Sequence, residues 1–462
     1  MKNNNKKGFT IVELVIVIAV IAILAAVLIP TFASIVKKAN IAADTQLAKN
    51  LNTALTTAAI GADAPADFSE VLKALRDNGF IISNINPTTE GWYYVWESDS
   101  NQILLVDGDN NYEIKYQSKE IKAENQTPGK TWNFAVSDAS KVDTIKALGS
   151  DGNRPYVVYS PKTTEDLMSA FGDAYKEGGI ISVSADIVLG EDDKPFMDTD
   201  AAGKSVTVDL SGNVLTNTGY WKYNADGGDY NFGQLTTKAG TLKIVNGMLE
   251  TAGNAKYVVA AVDSGKVELE GVTINDSVEG GAALRILGAD AVMNVKNTTI
   301  NLTSQTGCGG EFGKGNAIFD NVTITINSSE KNWLNVCVTP SKGGKLTINS
   351  GTYTAKGEAT AVLGLWTTAG NYVINGGNFV AEGNANIFAP HHVDTDTFGT
   401  EHTIELNGGT FTVGGKTVDI STLTEANYES EIKSLFGNGN YTDIMNNLTV
   451  SKTANGYKVV IK

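Results

Sequence analysis

Three groups of residues in this sequence carry side chains able to do metal or thiol chemistry. His391, His392 and His402 are its only histidines, and they share one short stretch with Asp394, Asp396 and Glu401. Imidazoles beside carboxylates make a ligand set for zinc, but no regular spacing orders them, so a polar loop is the competing reading. In Asp107-Gly108-Asp109-Asn110-Asn111, oxygens at Asp107, Asp109 and Asn111 suit calcium. The full twelve-residue loop pattern is missing, and a plain hairpin turn accounts for the same residues. Cys308 and Cys337 are the only cysteines, with no CxxC pair. They fit one disulfide of an exported protein, or two small buried side chains.

Acids that could serve a glycan-cleaving site are scattered: Asp263, Asp276, Asp290, Glu311 and Asp320. No motif fixes two of them together, and Arg285 is the only arginine after Arg154. The expectation is therefore no enzyme and no obligatory cofactor, with calcium the one ion to test for. Tyr220, Trp221, Tyr223 and Tyr230 could stack on sugar rings or could pack their own segment down; both readings stay open. The formal net charge of −15 argues against general nucleic-acid binding, which draws its affinity from neutralised phosphates.

The sharpest chemistry lies at the N-terminus. Residues 1–8, MKNNNKKG, are short, polar and basic, and from Leu14 to Ile29 every residue is apolar. Such a run, with its flanks, crosses most of a bilayer as a helix, and Lys2, Lys6 and Lys7 favour a cytoplasmic start. A secretory signal is cut after its apolar region, whereas here the small-residue site, Gly8–Phe9, precedes it. Glu13 sits almost inside the apolar segment, where a carboxylate is costly and is normally functional.

GFTIVELVIVIAVIAILAAVLIP, residues 8–30, resembles the N-terminal motif of type IV prepilins and type II secretion pseudopilins. The resemblance implies a membrane prepilin peptidase that cuts after Gly8 and methylates the new amino terminus at Phe9. Glu13 and Pro30 are the other matching positions, and the resemblance reaches residue 120 at most. Physically, a cleaved Phe9 presents a charged amine at the tip of a greasy helix. A neighbour's Glu13 would pair with it, leaving neither charge isolated in an apolar bundle. Pro30 removes one helical hydrogen bond and should permit a bend or local melting.

These groups need elements to hold them. Apolar periodicity continues through Ile41, Leu47, Leu51, Leu55 and Ile60, so one helix is expected from Phe9 to about Ile60, ~78 Å long. Asp67-Phe68-Ser69-Glu70 suits the start of a short helix ending near Gly79. Strands are expected at Phe80–Ser83, Trp92–Trp96, Ile103–Val106 and Tyr112–Tyr116, with a further one at Trp132–Val136. A long helix on a small antiparallel sheet is the pilin layout. The fold class is thus an α+β pilin module followed by an all-β parallel β-solenoid. Its expected segments are a leader at 1–8, a pilin-like module at 9–120, a linker region at 121–154, a solenoid at 155–420 and a cap at 421–462.

The solenoid follows from repetition. LKIVNGMLET (242–251), VELEGVTIND (267–276), LTINSGTYTA (346–355) and IELNGGTFTV (404–413) share a strand, a small polar turn and a second strand. Turn positions at Gly247, Gly271, Asn297, Asn321, Gly351, Gly377 and Gly409 lie 24 to 32 residues apart, one coil each. Asn246, Asn349, Asn375 and Asn407 precede turn glycines and should bond along the axis, with glycine supplying positive φ. The region resembles, by pattern, the right-handed β-helix (pectin-lyase-like) superfamily; a β-sandwich is the alternative. An amphipathic helix carrying Leu167, Ala170, Phe171 and Ala174 should cover the first coil. A helix at Glu425–Phe436 and a hairpin around Asn455-Gly456 should cover the last. In this register Cys308 and Cys337 fall at nearly the same place in successive coils, within reach of a disulfide.

The whole chain is expected to be a pilin-like filament subunit, minor or located at the tip, that displays its solenoid for adhesion or ligand binding. Expected partners are the prepilin peptidase, other pilin subunits, the membrane, and a surface glycan or protein. Expected localisation is a single-pass precursor in the cytoplasmic membrane, then an extracellular filament. Alternatives are a pilin-tethered polysaccharide-degrading enzyme and a pseudopilin of a secretion or DNA-uptake system.

Overall fold

The structure, a computed structural model, describes residues 10–60, 65, 68–81, 85–97, 100–108, 113–119, 131–136, 156–191, 193–225, 228–252, 255–277, 279–304, 306–329, 335–366, 368–390, 401–436 and 447–462. It divides into two compact units, Met1–Phe134 with Thr144–Pro155, and Ala135–Asp143 with Tyr156–Lys462.

In the first unit an unbroken apolar run, rich in Val and Ile of middling helix propensity, and a following amphipathic stretch free of glycine together give α1 (Ile11–Ala58, 48 residues). Pro30 does not end it: the helix continues through that position, so neither a break nor melting occurs there. The proline leaves the Ala26 carbonyl without its helical donor, while Thr31 Oγ1 donates to the Val27 carbonyl at 2.8 Å. Only the last part of α1 buries a face, through Ala48, Leu51, Ala54 and Leu55. That face meets α2 (Phe68–Asp77) and an antiparallel sheet of Trp92–Glu97, Gln102–Asp107 and Glu113–Tyr116. Thr131–Val136 adds a fourth strand, pairing antiparallel with Val95–Glu97.

The strand expected from Phe80 does not form in its described part. Gly79, at φ 85°, ends α2 as a left-handed cap. Phe80 N donates to the Leu75 carbonyl and Gly79 N to the Arg76 carbonyl, so these residues satisfy helix-end groups instead of a ladder.

In the second unit the strand Tyr156–Tyr159, paired parallel with Gly179–Ser182, precedes α3 (Thr164–Glu177), which is capped by Thr163 Oγ1 and stopped at Gly178. Its Leu167, Ala170, Phe171 and Ala174 are buried, as their spacing requires. Beyond it the chain winds into a parallel β-solenoid of about seven turns. Parallel register joins Leu242, Val267, Met293, Ala317, Leu346, Tyr372 and Ile404 into one inward column, each at most 1% exposed. A second column ends in Tyr353, Phe379 and Phe411, whose rings stack at 5.0 and 4.6 Å. These pairings are parallel from coil to coil, whereas a sandwich pairs antiparallel neighbours, so the sandwich alternative is set aside.

The corners follow the expected turns, with one change. Asn246 takes the left-handed conformation, φ 57°, and Gly247 does not. Glycine is needed at 247 because a Cβ there would lie 2.4 Å from Leu210 Cβ. The amide ladder forms over the last three positions, where Asn375 Nδ2 donates to Asn349 Oδ1 and Asn407 Nδ2 to Asn375 Oδ1, both at 2.9 Å, whereas Asn246 Nδ2 donates to Asp209 Oδ1 instead. At the far end the parallel stack is closed by antiparallel strands. Lys416–Asp419 pairs with Thr410–Val413, and Tyr457–Ile461, itself paired with Leu448–Lys452, covers His402–Leu406. The expected helix is shorter than its periodicity suggested, α4 (Tyr428–Lys433), and Phe436 beyond it stacks on Phe388 at 4.6 Å.

Candidate functional site

The first described residue, Thr10, is the N-cap of α1, and Glu13 completes a capping box with it. Thr10 N–H and its hydroxyl donate to Glu13 Oε2 at 2.9 and 2.8 Å, and Glu13 N–H donates to Thr10 Oγ1 at 3.3 Å. The carboxylate is thereby turned back toward the start of the helix, where the helix dipole favours a negative charge. Gly8 and Phe9 lie outside the described residues. Around Glu13, Ile11, Val12, Leu14 and Val15 are all more than half exposed. Exposure of large apolar side chains continues to Phe32, Ile35 and Val36, and Lys37 and Lys38 then end the greasy stretch. This is the one helix among the described residues long and apolar enough to cross a membrane. An unpartnered apolar rod of this kind can insert in lipid or bundle with copies of itself, with Glu13 its single carboxylate.

Two buried polar residues fix where the rod leaves the folded unit. Asp44 accepts from Thr88 N and Thr89 N at 2.7 and 2.9 Å, and its carbonyl accepts from the Tyr94 hydroxyl at 2.9 Å. Burial, then the Asp44 charge, push the Tyr94 phenol well above its ordinary value. One helical span later, Asn52 Nδ2 donates to the Ile103 carbonyl and Ile103 N donates to Asn52 Oδ1. Sequence reading missed both residues. Their only signal was a polar side chain inside the apolar stripe of a helix, which ordinarily marks an exposed position.

The metal candidates fare differently. Asp107 is answered by Lys115 at 3.3 Å, and its partners Asp109 and Asn111 lie outside the described residues. His402 is fully buried: Gly370 N donates to its Nδ1 at 3.3 Å, and its Nε2 bonds the Trp366 carbonyl at 2.7 Å. Those bonds occupy both ring nitrogens, which removes His402 from the proposed cluster; His391 and His392 lie outside the described residues. No group of three or more possible metal ligands occurs among the described residues.

The cysteines need a correction. Cys308 pairs with Val336, not with Cys337, so the two stand on successive coils one residue out of register. Neighbouring residues of a strand alternate faces, so the side chains diverge, and both thiols are free and buried. Burial pushes the Cys308 thiol up to about 12.

Three of the five scattered acids are tied into the framework. Asp276 accepts from the Thr251 hydroxyl at 2.7 Å, Asp320 from Ser350 at 2.8 Å, and Glu311 forms a buried ion pair with Arg285. Of the aromatic residues, Trp221 is 4% exposed and packs against Phe196 and Phe232, both at 5.2 Å. Arg285 lies over the Tyr230 and Tyr257 rings at 5.7 and 5.4 Å. For these side chains the structure favours packing of the hairpin Trp221–Ala225 and Gly228–Phe232 onto the solenoid.

Comparison with known proteins agrees with the geometry at the N-terminus. Residues 3–29 match the family described as the prokaryotic N-terminal methylation motif. A fimbrial protein of Moraxella nonliquefaciens is 34% identical over 115 residues, 22% of this chain and 74% of that protein. The type IV wide pilus major component PilA4 of Thermus thermophilus is 57% identical over 51 residues, 11% of this chain and 37% of its own. No solved structure matches the chain. With a capped apolar helix seated on a small antiparallel sheet, and with a fimbrial relative covered over most of its length, the chain belongs to the type IV pilin family.

Proposed function

We propose that this protein is a minor or tip subunit of a type IV pilus-like filament, and that its solenoid is displayed outside the cell for adhesion. The precursor would sit in the cytoplasmic membrane as a single-pass protein. Prepilin peptidase would cut between Gly8 and Phe9 and methylate the Phe9 amine, and Glu13 would then pair with that amine on a neighbouring subunit. The observation that carries this reading is the exposed apolar half of α1 joined to a half locked on its sheet by Asp44 and Asn52. A solenoid of about seven turns on each subunit would crowd a dense filament, which supports a sparse position. The solenoid would act by binding a surface glycan or protein, without catalysis and without a cofactor.

Mass spectrometry of filaments sheared from cells tests the reading. The chain should be present, begin at a methylated Phe9, and be far less abundant than the main subunit. Immunogold labelling of the solenoid should decorate ends or sparse points. Absence from filaments, or a mature N-terminus elsewhere, would overturn it.

A further inference from the structure

One face of the solenoid differs chemically from the rest. Along its second set of strands, parallel register aligns Thr273, Thr299, Thr323, Thr352, Asn378 and Thr410 on successive coils. Two residues further along each strand stand Asn275, Asn301, Thr325, Thr354, Val380 and Thr412. The residues between them, Ile274 through Phe411, are buried inward, so both rows point outward and are half-buried or exposed. None of the twelve is charged, in a chain with 36 basic and 51 acidic residues. The rows end at Met248 and Glu250 on the preceding coil, the ion pair Lys356–Glu382 borders them beyond Thr354 and Val380, and the adjoining outward face carries Glu268, Glu270, Lys296, Asp320 and Glu405.

The rows form a grid. Coils repeat at ~4.8 Å and alternate residues at ~6.6 Å, so six coils give a patch about 24 Å long. Its groups are held in place. Threonine is stiff at χ1. Asn301 Nδ2 donates to Asn275 Oδ1 at 3.0 Å and Thr410 Oγ1 to Asn378 Oδ1 at 3.0 Å. Each threonine presents a hydroxyl and a methyl, and each asparagine a planar amide.

We infer that this threonine–asparagine face docks flat on an uncharged, crystalline polysaccharide. The inference rests on the adhesion reading and names its ligand. A flat sheet face cannot surround a soluble sugar, so useful affinity requires many weak contacts made together, which a repeating solid supplies. Hydroxyls and amides match the sugar hydroxyls, and threonine methyls match the C–H faces of the rings. Lack of charge on both sides avoids stranding an unpaired ion at the contact. Ice also repeats and is uncharged, but Asn275, Asn301, Asn378 and Val380 interrupt the uniform hydroxyl rows that one lattice of water would match.

The test uses the full chain in detergent, mixed with suspended microcrystalline cellulose or crystalline chitin, and measures depletion from solution. The double variant T299K/T352K places two charges on the face, and T347K places one on the adjoining face as a control. Both should keep the native melting temperature, since all three positions point outward. The native chain should partition onto at least one solid, the double variant ~10-fold less, about 1.4 kcal/mol by the usual conversion, and T347K like the native chain. Retention should be insensitive to salt. The inference is overturned by no retention on either solid, by equal retention of native and double variant, or by retention that salt abolishes. It is also overturned if the face selectively drives partition into growing ice, or drives self-association in sedimentation, with T299K/T352K abolishing either. None of these outcomes touches filament membership, which is judged on sheared filaments.

Discussion

Asn52 and Ile103, 51 positions apart, exchange two buried hydrogen bonds, side-chain amide to main-chain carbonyl at 2.7 Å and main-chain amide to side-chain oxygen at 2.9 Å. Asn52 thus acts as a surrogate strand residue projecting from α1. It sets the height of the sheet along the helix, and so how much of the helix stays free. Asn52→Leu keeps the volume but strands both Ile103 groups away from water, which should cost about 1–3 kcal/mol. Hydrogen exchange at the Ile103 amide should accelerate relative to the native chain, while amides of the solenoid columns stay unchanged. Unchanged protection at Ile103 would show that the pair does not hold helix to sheet.

Glu13 is the single carboxylate in the exposed apolar half of α1. Glu13→Gln retains an acceptor for Thr10 while removing the charge, so helix capping and membrane insertion should persist. Entry into filaments should fall by about tenfold or more, because the neighbour's amine would then lie without its countercharge in an apolar bundle. Quantifying the variant in membrane and sheared-filament fractions decides this; native levels in filaments would refute the pairing role.

Much of this was legible because period and chemistry agree. The alternating rows of VELEGVTIND and its copies set the solenoid's register, and the unbroken apolar run before Pro30 set the assembly helix. Failures came where one residue mattered. Counting from the turns places Cys308 thirteen residues before Asn321 and Cys337 fourteen before Gly351. The ladder shifts the other way: Val322, not Asn321, pairs with Gly351, and one extra residue in the corner between Ser341 and Lys345 leaves Cys308 opposite Val336, which turns the two cysteine side chains to opposite faces. Phe80 and Ile81 carried the composition of a strand, but the Gly79 turn used the Phe80 amide to close α2. Asn52 and Asp44 were silent because their partners are main-chain groups, which no residue type announces. The threonine rows were present in the repeats, yet only the coil-to-coil pairing shows that they line up.

His402 provides a pH test. Burial lowers its affinity for a proton below the ordinary value of 6.5, outweighing the bond to the Trp366 carbonyl. Its Nδ1 accepts from the Gly370 N–H, so protonating that nitrogen sets donor against donor. The unfolded chain takes up the proton first as pH falls. The stability contributed by neutral His402 is therefore complete above pH 6.5 and declines below it, until the folded state also protonates. His402→Gln keeps a donor and an acceptor without titrating. The melting temperature of the native chain should fall faster than that of H402Q between pH 7 and pH 5. Parallel curves would show that the ring stays uncharged for another reason, or is solvated.

Gly351 and Gly414 separate backbone strain from crowding. Both have positive φ, 123° and 58°, so any side chain is strained at either. At Gly414 a Cβ meets nothing within 4 Å, and its φ is the left-handed value that other residues sometimes adopt. At Gly351 a Cβ would lie 2.0 Å from the Val322 carbonyl oxygen, on the coil next to it in the stack. Moving that carbonyl would break the ladder between Val322–Ser328 and Gly351–Gly357. Gly414→Ala should therefore cost about 1 kcal/mol, and Gly351→Ala about 3 kcal/mol or more with loss of amide protection in both strands. Equal costs would mean that the corner can open without disturbing the coil beneath it, and that glycine is held at 351 by its φ alone.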